Sequence, residues 1–125
     1  MTLFEECIEA LGNPSIMSEI ESQGEFNRFR EIFSFSYGRI DWSKIEKKEP
    51  VEEISDIPNK VNKHGDDFLI IWDNARLPIV KSNLESIIKA LDDVLAVSFD
   101  TWLYRPEDGT IIEFFHEGDV TIGKI

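Results

Sequence analysis

Phe68-Leu69-Ile70-Ile71-Trp72 is the longest uninterrupted apolar run in the chain, and its reading decides the fold. A bilayer needs a span of about 20 residues, so this run is far too short to cross one. A short stretch that is apolar on both alternating faces instead suits a central strand covered on each side. Towards the C-terminus, Asn74-Ala75-Arg76-Leu77-Pro78 reads as a turn or an irregular edge. Ser82 and Glu85 then have capping-box spacing, and Leu84, Ile87, Ile88 and Leu91 form a helical stripe. Asp92-Asp93 falls near the end of that helix, where the helix dipole gives acids no support. Three strand candidates follow at 95–104, 110–116 and 120–125. Pro106-Glu107-Asp108-Gly109 and Glu117-Gly118 supply the hairpin turns between them.

Towards the N-terminus the signals are helical. Thr2 and Glu5 have capping-box spacing, Leu3, Phe4, Cys7, Ile8 and Leu11 share one helical face, and Gly12-Asn13-Pro14 stops the helix. A second helix is predicted from about Ser15 to Phe33, with Gly24 as an interruption. Phe33, Phe35 and Tyr37 then alternate with serines in a strand-like way. The stretch from Lys44 to Asp67 is a polar connection with one helical turn over 51–57. Neither half has the apolar content for its own core, so residues 1–125 are read as one domain. The expected class is α+β: N-terminal helices, then a mostly antiparallel sheet of about four strands with one further helix.

Composition excludes several classes. Hydrophobic residues make up 42% of the 125-residue chain, enough for a core and too many for disorder. The single cysteine, Cys7, on an apolar helical stripe, excludes an internal disulfide and fits a reducing compartment. The start carries no basic, apolar leader pattern, so a cytoplasmic location is expected. Thirteen basic residues against 25 acidic ones leave a net charge of −12, spread over both halves. A field of that sign repels nucleic-acid backbones and anionic membranes and attracts basic proteins. Acidity also serves plain solubility.

No phosphate loop, zinc-protease helix or nucleophile elbow is present, and no cofactor or metal is implied. Asp66-Asp67, Asp92-Asp93 and Glu107-Asp108 lack the alternating ligands of a Ca²⁺ loop. His64 and His116 each stand alone in the sequence. As a general base, His116 would need an orienting carboxylate from Glu113, Glu117 or Asp119.

Side chains alternate across a strand, so Val97, Phe99, Thr101 and Leu103 share one face and Ser98, Asp100, Trp102 and Tyr104 the other. On the next strand Ile111, Glu113 and Phe115 alternate with Ile112, Phe114 and His116. Both faces of this hairpin carry large apolar groups. Acids lie within two positions of aromatics, which is the composition of a protein-binding hot spot. It is equally the composition of a core strand covered by helices on both sides, with Trp102 and Phe115 buried.

The segments Ile71-Trp72-Asp73-Asn74-Ala75-Arg76-Leu77-Pro78-Ile79-Val80 and Ala96-Val97-Ser98-Phe99-Asp100-Thr101-Trp102-Leu103-Tyr104 resemble bacterial contact-dependent growth inhibition immunity proteins. The closing Ile112-Glu113-Phe114-Phe115-His116-Glu117-Gly118-Asp119-Val120-Thr121-Ile122-Gly123 fits the same family, so the resemblance covers roughly residues 68–125. It implies a cytosolic inhibitor without chemistry of its own that binds one cognate toxin domain, often a nuclease. Nuclease clefts are commonly basic, and an acidic partner complements them by masking the active site or substrate groove. The expected toxin-binding surface is a set of exposed acids beside aromatics: Asp73, Asp100, Trp102, Tyr104 and Glu113, with the turn acids Glu107 and Asp108. The competing reading is a small acidic enzyme with a carboxylate site near Asp73 or Asp100, or one using His116, around the strand ends. A generic adaptor domain is a third.

Overall fold

The computed structural model describes residues 1–61 and 67–125, so His64 and Asp66 lie outside the described residues. In chain order the elements are α1 (Leu3–Leu11), β1 (Ser15–Ile16), α2 (Glu19–Ile32), β2 (Phe35–Ser36), β3 (Arg39–Ile40), β4 (Lys47–Pro50) and α3 (Ile57–Lys60). They continue with β5 (Asp67–Trp72), β6 (Val80–Asn83), α4 (Leu84–Lys89), α5 (Leu91–Leu95), β7 (Thr101–Arg105), β8 (Thr110–Phe114) and β9 (Val120–Lys124). The class is α+β, as expected.

Among the described residues the main sheet has seven antiparallel strands in the order β1-β6-β5-β7-β8-β9-β4, which corrects the expected four. The apolar run of β5 does lie inside the sheet, between β6 and β7. The strands that sequence patterning overlooked are β1, β4 and β6. β1 is two residues long, and every residue of β4 is exposed. Such edge strands are held by the backbone ladder, so they carry no apolar alternation to detect.

Local signals set most of the helix ends. The Thr2 hydroxyl accepts from Glu5 N–H at 3.1 Å while the Glu5 carboxylate accepts from Thr2 N–H at 2.9 Å, and left-handed Gly12 closes α1. A second capping box, Ser18 with Glu21, starts α2 three residues later than expected, and Gly24 does not interrupt it. The cap of α4 is Asn83, not Ser82: its side chain accepts from Ser86 N–H at 2.8 Å, and Ser82 is buried in β6. The single further helix is therefore two short ones broken at Ala90, which places Asp92-Asp93 in the first turn of α5. The helical turn expected over 51–57 falls slightly later, as a 3-10 turn at Ile54–Asp56 running into α3. The strand expected over 95–104 begins only at Thr101, because Leu91–Leu95 is helical.

Both faces of the sheet are covered. On one face Cys7 and Leu11 of α1 and Leu84, Ile87, Leu91 and Val94 of α4 and α5 pack on Phe68, Ile70, Leu103 and Ile112. On the other, Phe29 and Phe33 of α2 pack on Leu69, Ile71, Trp102, Tyr104 and Ile111. Alternate residues of β5, β7 and β8 thus enter two different cores, each large side chain contributing about 1.5–3 kcal/mol by burial. A sheet closed on both faces leaves its ends, its edges and the outer helix surfaces to meet anything else.

Candidate partner-binding site

The seven residues expected to meet a partner do not form one surface. Glu113 is 0% exposed, and Asp100, Trp102 and Tyr104 are also buried, so their expected exposure is corrected. The register explains this. Trp102 pairs directly with Glu113 and Tyr104 with Ile111, on the sheet face that α2 covers. Asp73 and Glu107 are exposed, but they lie at opposite ends of the sheet. Asp73 follows β5 beside the start of β7, whereas Glu107 and Asp108 occupy the turn after β7. Five residues of strand separate those ends by roughly 17 Å.

Glu113 is the centre of a polar knot. Its carboxylate accepts from Arg39 Nε and Nη2 at 3.2 and 3.0 Å, from Ile40 N–H at 2.8 Å, and from the indoles of Trp42 and Trp102 at 2.9 and 3.1 Å. A fully buried charge is tolerable only with such complete satisfaction. The knot fastens the β2–β3 hairpin onto the sheet. Asp108 is likewise engaged: the Arg105 guanidinium and Thr110 hold its carboxyl well below the usual range.

The end of the sheet near Asp73 brings several polar groups together. Asp100 Oδ1 accepts from His116 N–H at 2.8 Å and lies 3.0 Å from His116 Nδ1. The orienting carboxylate of His116 is thus Asp100, not Glu113, Glu117 or Asp119. Asp73 accepts from the Ser98 hydroxyl, and its N–H donates to the Asp100 carbonyl at 3.2 Å. Phe99 stands 81% exposed above this cluster, with its ring edge-on to His116 at 5.9 Å. Leu95, Val97, Phe99, Phe114 and Phe115 line an open groove here of about 670 Å³ together with His116, and among the described residues no lysine or arginine lines it.

As chemistry, the cluster is incomplete. His116 and Asp100 form an acid–base pair, but among the described residues no serine, threonine or cysteine hydrogen-bonds the imidazole, because Ser98 is held by Asp73. Cys7 is buried in the core and does not line the groove, and burial pushes its thiol up to about 11. Among the described residues no three acid, histidine or cysteine side chains cluster as a metal cage. What the end offers is an exposed aromatic over an apolar groove with acids at the rim, the make-up of a docking surface.

Charge is segregated around it. Glu5, Glu6 and Glu9 of α1 and Asp92 and Asp93 of α5 are exposed, and neither helix carries a base. Five lysines, Lys44, Lys47, Lys48, Lys60 and Lys124, gather instead along the β4–β9 edge. The sequence matches the family described as CdiI immunity protein, EcoliA0-like, over residues 1–123. The chain belongs to the CdiI immunity protein family. The match extends the likeness from the second half of the chain to nearly all of it, including α1, α2 and the β2–β3 hairpin. No curated protein sequence matches the chain significantly.

For a CdiI immunity protein the relevant residues are those that can touch a toxin, and sequence patterning missed two of the most exposed. Phe99 was assigned to a strand face but lies before β7, and Tyr37 at the β2–β3 turn drew no functional reading. The signal for Phe99 was the length of the Pro106–Gly109 turn. It sets Thr101 opposite Phe114, so Phe99 would fall opposite His116, where the Glu117-Gly118 turn has already ended the ladder.

Proposed function

We propose that this immunity protein neutralises a basic nuclease toxin domain of the contact-dependent growth inhibition type by covering its active site or substrate groove, and that it has no catalytic activity of its own. Family membership carries the immunity reading. The nuclease and the mode of block are inferred from charge: a −12 protein with cation-free acidic helices complements a cleft built to grip phosphates. The contact surface assigned to the toxin is the end carrying Phe99 and His116, with Asp73 and Glu117 at its rim and α5 leading into it. Toxin and inhibitor meet in the cytoplasm of the cell that makes the inhibitor.

The test is a titration against the toxin domain encoded beside this gene, with nuclease activity as a second readout. Nanomolar, salt-sensitive binding that abolishes nucleic-acid cleavage is the expected result. Tight binding to a toxin with another activity would remove the nuclease reading and leave the immunity role in place. A small-enzyme reading rests only on the Asp100–His116 pair. It requires turnover that is lost in His116→Gln.

A further inference from the structure

The β2–β3 hairpin presents a tyrosine in a conformation that tyrosines avoid. Tyr37 has φ 54° and Gly38 φ 80°, the left-handed pair of a tight hairpin turn in which Asn-Gly is the preferred sequence. A bulky side chain in that region strains the backbone, and here it gains nothing within the fold, since Tyr37 is 100% exposed. The hairpin beneath it is nonetheless held firmly. Phe35 packs edge-on against Trp102 at 5.4 Å and against Phe29 at 5.7 Å, and Ile40 N–H is bound by the buried Glu113 carboxylate. A strained, solvent-facing aromatic on an anchored two-residue turn is a pre-organised contact: little conformational freedom is lost when it is buried by a partner.

The hairpin also leads to the end of the sheet described above. The Arg39 guanidinium lies 4.2 Å from the ring centroid of Phe115, which lines the Phe99 groove, and 3.6 Å from Asp119. Asp41 directly follows β3, and Asp119 is largely exposed. Arg39 adjoins the turn and Arg30 lies over the Phe35 ring at 5.2 Å, so it is the overall charge of −12, not the hairpin's own surface, that fits a cationic partner.

We infer that Tyr37 is a hot-spot anchor that inserts into a slot on the cognate toxin domain. The inference rests on the immunity reading and places part of the interface on the hairpin as well as at Phe99. Its occupant is the toxin, not a second copy of this acidic chain, whose own field opposes self-association through acidic surfaces.

Binding of the toxin domain is measured for the wild type and for Tyr37→Asn, Tyr37→Phe and Tyr37→Ala, with thermal unfolding of each free protein. Asn suits the left-handed position, so Tyr37→Asn is expected to unfold no lower than wild type yet to bind the toxin about 30-fold or more weakly. Tyr37→Phe retains the ring and is expected to retain most of the affinity, while Tyr37→Ala loses it. Wild-type binding that Tyr37→Asn reproduces within about threefold, well below hot-spot scale, overturns the inference and spares the immunity reading. Failure of the wild type to bind the toxin at all overturns both.

Discussion

The Glu113 carboxylate accepts the backbone N–H of Ile40 at 2.8 Å, across 73 positions of sequence, while the indole of its cross-strand neighbour Trp102 donates to the same oxygen at 3.1 Å. One buried charge thereby positions the β2–β3 hairpin and orients a core tryptophan. Glu113→Gln keeps the shape but removes the charge that Arg39, two indoles and an amide are arranged around. It is expected to cost about 3 kcal/mol, because breaking a buried pair strands the remaining partners. Urea unfolding followed by tryptophan fluorescence measures this, and an unchanged midpoint would mean that the knot does not hold the hairpin. Glu113→Lys is expected not to fold.

Asp108 makes stability depend on acidity. Its carboxyl is held below its unfolded value of about 3.9, first by the Arg105 guanidinium and then by Thr110. A depressed native pKa stabilises the fold while the carboxylate is charged in both states. That contribution is complete above about pH 5 and is lost as pH falls through and below about 4. Asp108→Asn is therefore expected to lower the melting temperature at pH 7 and to show a much smaller deficit at about pH 2, where the native carboxylate too begins to take up its proton. An equal deficit at both pH values would contradict the assignment.

Cys7 is buried under α1, with its thiol pushed up to about 11 by burial first and by the nearby Asp93 charge second. The thiolate is the reactive form, so the folded protein is expected to resist an aromatic disulfide reagent at pH 8 and to react fully in urea. Rapid labelling without denaturant would show that the α1–α5 packing opens readily.

Asp73→Lys combined with Glu117→Lys inverts two exposed charges at the rim of the Phe99 groove without touching a core residue. Rim charges act mainly on encounter, so the association rate with the toxin is expected to fall by about tenfold at low salt, with a smaller change in dissociation. Stopped-flow or surface kinetics at two salt concentrations decide this. A rate that does not move puts the contact elsewhere, for instance on the acids of α1.

The parts legible in the sequence are those where side-chain chemistry and burial coincide. Thr2 with Glu5 marked the start of α1, Phe68–Trp72 marked the inner strand, and the Pro106–Gly109 turn marked the β7–β8 hairpin. β4 was invisible because Lys47-Lys48-Glu49-Pro50 buries nothing and is ordered only by pairing with β9. The acids beside aromatics misled for a related reason. A strand covered on both faces and a strand exposed as a hot spot have the same composition, and only the position of α2 places Trp102, Tyr104 and Glu113 inside. Asp100 and His116 meet through hairpin register, which single-residue reading does not supply.

The pairing of β4 with β9 has a consequence for how the chain comes into being. Lys47 lies opposite Lys124, and β1 likewise waits for β6, so strands from the first half are completed by partners made much later. Such distant closures are slow and leave early segments waiting unpaired. The sheet is therefore closed only after β9 has been made, and until their partners are made β1 and β4 wait as open edges that must be kept from pairing with other chains.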